Sequence, residues 1–399
     1  MKTAKSKLLL VTCISLFIIS HVTAQNIIAI QQGRYTFELP ESYLEERDNI
    51  PPFWISTNEE VDLFIEKTVK KGHIEIIGVS AGGRPIKAIS YGEPRKWEGT
   101  TTFSGALGFR DVAAYRGPDH DKTVFLVVSG IHGGEFEGIV ATVNLISVIE
   151  TGKDIRGKEW PEVTELIEKT DRLVLIPIAN PDGRARVPIR MQIFKGKDRI
   201  VHEYLNTGGH ADGTMFGWPQ IKEFIPMDFN KPGFPGGYPN DAGVNMMHDD
   251  FFGEVQPETE ALFNITRREK PDIVMNMHTG ADYMNILRPF TELPLQSVFD
   301  SVYTHVHTRL AKEGLLRTND IQKESDPSKV RGGTFNLSSA LNLHCGTLCI
   351  TVESPSHGYD RYEDYSTSKH TPDLLLDSHF FCHIEAMRFL VETGGRSKW

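Results

Sequence analysis

Thr123-Val-Phe-Leu-Val-Val-Ser129, running into Gly130-Ile-His132-Gly-Gly-Glu135, is the stretch that decides the fold. Its apolar residues do not alternate with polar ones, so the segment is expected as a strand covered on both faces, the habit of parallel sheets. Gly138 to Ile149 follows as a helix that is apolar almost all round. The pattern repeats outward. Arg172–Ile178, Asp272–Met277 and Leu348–Val352 read as further buried strands. Helical stretches are expected at Asn58–Lys71, Glu162–Lys169, Gln256–Arg268, Val298–Glu313 and Leu374–Glu392. His73–Val79 and Pro85–Tyr91 read as a hairpin. Strands alternating with helices define an α/β chain, a mostly parallel or mixed sheet with helices on both faces.

The chain has 399 residues, 39% of them hydrophobic, and a formal charge of −10. That supports one large folded domain, read here as 51–399 behind an N-terminal extension at 25–50. An acidic chain without a basic block excludes nucleic acid as a partner, because such binding rests on Lys and Arg against phosphate. Lys2, Lys5 and Lys7, the apolar run from Leu8 to Ser20 and Val22-Thr23-Ala24 read as a signal peptide at 1–24, cleaved after Ala24. The run is too short to span a bilayer, so the product is expected to be secreted or periplasmic, without a stable membrane anchor. Cys345, Cys349 and Cys382 are expected as buried thiols. If Cys345 and Cys349 share a strand, they stand too far apart to bond.

Polar residues gather where these strands end. His132 and Glu135 follow the first, Asn180-Pro-Asp-Gly183 the second, His278 the third, and Glu353 the fourth. Ligands in open α/β sheets bind beyond the carboxyl ends of strands. An imidazole and a carboxylate three residues apart on one turn, with a second imidazole from a distant strand, leave zinc an open fourth position. Zinc so held lowers the pKa of its bound water to about 7. A spare carboxylate is then needed to move the proton, and Glu353 is the spare one.

The ordered set His132-x-x-Glu135, His278 and Glu353 resembles the M14 zinc carboxypeptidases. Ser80-x-x-Gly-Arg-Pro-Ile86, Asn180-Pro-Asp-Gly183 and Pro257-Glu-Thr-Glu260 resemble landmarks of that family. The resemblance implies an eight-stranded-type mixed sheet and one zinc ion on His132, Glu135 and His278. It makes Glu353 general base and then acid, Arg190 the group polarising the scissile carbonyl, and a peptide or amide the substrate. The family's Gly-Val-Asp-x-Asn-Arg, whose Asn and Arg hold a terminal carboxylate, stands here as Gly243-Val-Asn-Met-Met-His248. Asn245 replaces the Asp that orients a zinc histidine, and His248 replaces the Arg. A neutral imidazole does not reproduce a bidentate guanidinium. Recognition of the substrate's end is therefore expected to differ, with Asn245 and His248 on the substrate side. Arg184, Arg186, Arg190, Arg288 and Arg331 are the candidate replacement anchors.

Two other readings are kept, a zinc-dependent N-acyl amino acid deacylase and an inactive binding module on the same fold. Gly78-Val-Ser80-Ala-Gly82 has the spacing of a serine-hydrolase elbow. That motif needs a strand-to-helix turn, whereas a second strand follows here. His210-x-Asp212 and His248-Asp249-Asp250 are metal-capable residues in loop.

Overall fold

The computed structural model describes residues 27–399 except 33, 45, 47–49, 97, 101, 109, 192–199, 282, 317–319, 331 and 356–369. The expected signal peptide and Arg331 lie outside the described residues.

Strands β1 (Ile27–Gln32) and β2 (Tyr35–Pro40) form a separate hairpin. The main sheet is built from β3 (His73–Val79), β4 (Pro85–Tyr91), β5 (Val124–Val128), β6 (Arg172–Ile176), β7 (Ile273–Thr279), β8 (Asn285–Leu287) and β9 (Leu348–Ser354). Its order is β3-β4-β6-β5-β7-β9-β8, with β6, β5, β7 and β9 parallel and the outer pairings antiparallel. It has seven strands among the described residues, against the eight expected. The first hairpin pairs only with itself and adds nothing to the main sheet.

Every residue of β5 and β6 is buried; both runs are apolar except for Arg172, which pairs with Glu269 at 2.9 Å. Phe125 and Val127 join a cluster with helices Asn58–Thr68, Phe136–Thr151, Leu293–Lys312 and Pro372–Thr393. Leu126 and Val128 face the opposite layer, formed with helices Pro257–Glu269 and Leu337–Cys345. On β7 and β9 the second layer receives Val274 and Cys349. By the two-residue period of a strand, Asn276, His278, Thr351 and Glu353 point to that same side. The site is therefore on one face, at the carboxyl ends of the central strands.

The charged anchor of the opposite sheet end is Asp272, at 0% exposure. It accepts from Arg95 at 3.1 Å, Arg116 at 2.6 Å and the Val124 N–H at 2.7 Å. The N-terminal hairpin is seated on the body. Phe37 and Leu39 enter a cluster with Trp54, Phe229 and Phe234, and the Gln32 amide donates to the Asp182 carbonyl at 3.1 Å.

Cys345 ends helix Leu337–Cys345, and Gly346 in the left-handed conformation (φ 70°) separates it from β9. The two cysteines thus do not share a strand, yet Cys345, Cys349 and Cys382, the cysteines among the described residues, are free and buried. Ser80 sits in the β3–β4 turn and donates to Asp182 Oδ1 at 2.6 Å. It is a turn residue, with no helix after it.

Candidate functional site

The turn after β5 is held from three sides. The Gly133 N–H donates to the Gly237 carbonyl at 2.7 Å. The Asn180 amide donates to the carbonyls of Ile131 and Tyr238, each at 3.2 Å. A Cβ on Gly133 would lie 2.0 Å from the Gly183 carbonyl carbon, so only glycine lets these loops meet. Glu135 stands at the N-cap position of helix Phe136–Thr151 without a side-chain capping hydrogen bond, so its carboxylate is left to turn toward His132.

Four polar atoms converge there. His132 Nδ1 is 2.8 Å from Glu135 Oε1, and His278 Nδ1 is 2.9 Å from Glu135 Oε2. The two Nδ1 atoms are 3.3 Å apart. Nitrogens about 2.0–2.1 Å from one tetrahedral zinc lie about 3.3 Å from each other, so the donor set fits a single ion of that kind. Asn245 Oδ1 accepts from His132 Nε2 at 3.1 Å. A proton on Nε2 leaves the Nδ1 lone pair aimed at the common point. Tyr238 stacks on the His132 ring at 3.7 Å and 13°. Asn206 Nδ2 and the Thr279 N–H each donate to Glu135 at 3.2 Å.

Burial alone would raise the Glu135 pKa, but the two imidazoles outweigh it and hold the carboxyl well below its ordinary range. Burial pushes His132 down against the pull of Glu135. The cluster is thus an anionic carboxylate between ring nitrogens, the charge complement of a divalent cation. Among the described residues it is the one such group of three or more.

Glu353 stands beside it. The β7–β9 register pairs His278 with Glu353, which places the second carboxylate one strand away from the triad. Burial raises its pKa to about 7, with His278 opposing and Glu135 reinforcing the shift. No hydrogen bond holds its carboxylate among the described residues. Both carboxylates open into a cavity of about 660 Å³, also lined by Trp218, Lys222, Tyr238, Met247, His248, Arg288, Ser338 and Thr351.

A family model described as zinc carboxypeptidase matches residues 64–338. The chain belongs to the zinc carboxypeptidase family. Membership makes it a zinc-dependent hydrolase, and the triad described above could hold the metal. A metallo-carboxypeptidase from Burkholderia cenocepacia is 13% identical over 92% of this chain and 80% of its own, with a TM-score of 0.50. One from Pseudomonas aeruginosa is 14% identical over 92% and 80%, with a TM-score of 0.49. The fold likeness rests on the first. No curated protein matches this member of the family.

The candidate arginines separate sharply. Arg184 is 2% exposed and spends its guanidinium on the carbonyls of Ser56, Val187 and Ile189 at 2.5–2.8 Å. Arg186 is bound to the carbonyls of Gly236 and Pro239 and to Asp241, each at 2.8 Å. Arg190 pairs with Glu60 at 2.5 Å and donates to the Trp54 carbonyl. None of the three is among the cavity's lining residues. They brace the loops, because a long buried guanidinium is satisfied most easily by the carbonyls of turns around it. Arg288 does line the cavity, but it pairs with Asp300 at 2.5 Å and donates to Pro327.

His248 reaches the cavity, stacked on Trp218 at 5.9 Å. Burial, with Lys222 and the two triad histidines, lowers its pKa to about 4, so it is neutral at pH 7. Lys222, 4.4 Å over the Trp218 ring, is a cavity cation that the sequence reading missed. It lies in Gln220–Phe224, whose short helix carries no periodic signal. Tyr238, Ser338 and Thr351 were likewise invisible as site residues, and only their spatial neighbours give them a role. His210 and Asp212 lie exposed, with Asp212 turned back on Thr214.

Proposed function

We propose that this chain is an exported metallopeptidase that hydrolyses a peptide or amide bond, with one zinc ion on His132, Glu135 and His278. The observation that carries the reading is the convergence of two Nδ1 atoms and a carboxylate within 4.8 Å, with Glu353 on the adjoining strand at the same register. Zinc, when bound, supplies a Lewis acid that polarises the carbonyl and acidifies water.

The protein's own residues do the rest. Glu353 receives a proton on its carboxylate from the attacking water and returns it to the leaving nitrogen. A pKa raised to about 7 suits both halves of that transfer, since a group near the working pH gives and takes with similar ease. Asn245 holds the His132 tautomer, and Tyr238 holds the ring plane. The chain has no arginine at position 248, so end recognition departs from a bidentate grip. Peptides with amidated C-termini are accepted beside free acids. The leader is removed after Ala24, and residues 25–50 remain with the catalytic body.

Glu353→Gln tests the core of this. The variant should retain stoichiometric zinc by metal analysis while losing about 10²–10⁴-fold in kcat on a peptide library, the usual worth of a positioned acid–base group. Undiminished turnover would remove Glu353 from the reaction. A strong preference for free acids over amides would remove the claim about end recognition.

A further inference from the structure

Beside the Asn180–Gly183 turn lies a second cavity, of about 240 Å³, that shares no lining residue with the catalytic one. β4 runs antiparallel to β6, so the start of one strand lies beside the end of the other. By the two-residue period of a strand, Lys87 points to the side of Ile89, where Val61 and Ile65 of helix Asn58–Thr68 pack. The cavity lies between that helix and those strand ends, with Val61, Ile65 and Ile178 as its apolar lining. Its polar lining carries both signs of charge, and three groups there have capacity to spare. Arg84 Nη1 donates to Asp182 at 2.8 Å and to Asp241 at 3.0 Å, while its Nε and Nη2 have no partner among the described residues. The Glu59 carboxylate is exposed and has no hydrogen bond or ion pair among them. Asn58 Nδ2 donates to the Pro181 carbonyl at 2.9 Å, which leaves Oδ1 buried and unpartnered among the described residues. Lys87 differs, since it is paired with Asp62 at 2.8 Å. A guanidinium with an open edge and a carboxylate without a counter-ion thus border one small, half-apolar space.

We propose that this cavity is a binding site for a small zwitterion, a free α-amino acid with an aliphatic side chain. The ligand's carboxylate meets the open edge of Arg84, a planar fork suited to it. Its ammonium has three N–H bonds to give, and Glu59 and Asn58 Oδ1 are acceptors in want of donors. The aliphatic side chain covers Val61, Ile65 and Ile178 and takes that surface out of water. A ligand with one charge alone leaves either the guanidinium edge or the carboxylate unanswered. The site goes beyond the peptidase reading and does not depend on it, because none of its groups belongs to the catalytic cavity.

Calorimetry on the zinc-loaded protein tests it, with L-leucine, isoamylamine and isocaproate as probes. Leucine should bind with a dissociation constant of about 1 mM or tighter. Each of the other two lacks one of the charges and should bind at least about tenfold more weakly, the worth of a lost charge-assisted hydrogen bond. An amino acid can also approach a zinc site, so variants decide the place. Glu59→Gln, at an exposed position, should bring leucine down to the affinity of isocaproate. Arg84→Lys should weaken leucine and leave isoamylamine unchanged. Glu353→Gln, in the catalytic cavity, should alter none of the three affinities. Should Arg84→Lys fail to fold through its ties to Asp182 and Asp241, Glu59→Gln alone carries the decision. The proposal is overturned if leucine does not bind, if either analogue matches it, if Glu59→Gln keeps the full preference, or if Glu353→Gln removes it.

Discussion

Asn245 shows what one side chain contributes. It accepts from His132 Nε2 at 3.1 Å and from the Met247 N–H at 2.9 Å, so it ties the first histidine to the short helix at Met246–His248. Partners of this kind change metal affinity about 10–100-fold when removed. Asn245→Leu should therefore release zinc to a chelator at about 10–100-fold lower chelator strength. Asn245→Asp should hold it more tightly, since a charged acceptor makes the imidazole a stronger base. Equal zinc affinity in all three proteins would show that His132 is oriented by its stacking on Tyr238 alone. The neighbouring residue teaches a different lesson. Position 248 could be read from sequence as a departure from the family, but its neutrality comes from burial beside Lys222 and the two triad histidines, none of which is near it in the chain apart from the fold.

At the scale of elements, the decisive feature is the glycine turn between β5 and helix Phe136–Thr151. It works because Gly133 touches the Asn180–Gly183 turn with no side chain between them. Gly133→Ala should cost about 1–3 kcal/mol, the usual penalty of forcing a methyl into packed structure, and should lower zinc content as His132 and Glu135 separate. Thermal unfolding and metal analysis on the same sample check both, and a variant with full zinc and unchanged melting would refute the close-contact account. The N-terminal hairpin is the second such element. Phe37 lies 5.9 Å from Phe229 and 6.1 Å from Phe234, ring to ring. Deleting residues 27–40 should uncover those rings and lower the melting temperature, with dye binding to exposed apolar surface as the second readout. An unchanged melting curve would make the hairpin an appendage.

At the scale of the whole molecule, His307, His379 and His383, all away from the site, are buried without charge. Burial lowers His307 to about 3, His379 to about 3 and His383 to about 4. Both ring nitrogens of His379 and His383 lack partners among the described residues. The unfolded chain takes up these protons near 6.5, whereas the folded one resists until pH 3–4. Their contribution is therefore complete above pH 6.5 and drains away as pH falls toward 4. Glu353, raised to about 7, acts with the opposite sign in the same window, so the histidines are best isolated by substitution. The pair His379→Leu and His383→Leu should flatten the fall in urea-unfolding free energy between pH 6.5 and 4. Parallel pH curves for variant and wild type would argue that these rings pick up protons without unfolding.

Composition and pattern by themselves determined the layered α/β architecture, because a strand buried on both faces must be mostly apolar and a covering helix must carry an apolar stripe. The ordered set of His132, Glu135, His278 and Glu353 likewise pointed to the zinc carboxypeptidase family, which the match over residues 64–338 bears out. The hairpin His73–Val79 with Pro85–Tyr91 was legible, whereas the other edge strand and the N-terminal hairpin were not. Asn285–Leu287 is too short to carry a period, and β1–β2 gains its stability from Phe229 and Phe234 far along the chain. Only the tertiary structure decided the arginines: Arg184, Arg186 and Arg190 look like substrate anchors in a loop sequence, yet carbonyls and carboxylates from other loops consume them. Local sequence fixes which way a side chain points along its own strand, but strand register and helix packing fix what it meets, and those are set by burial across the entire sheet.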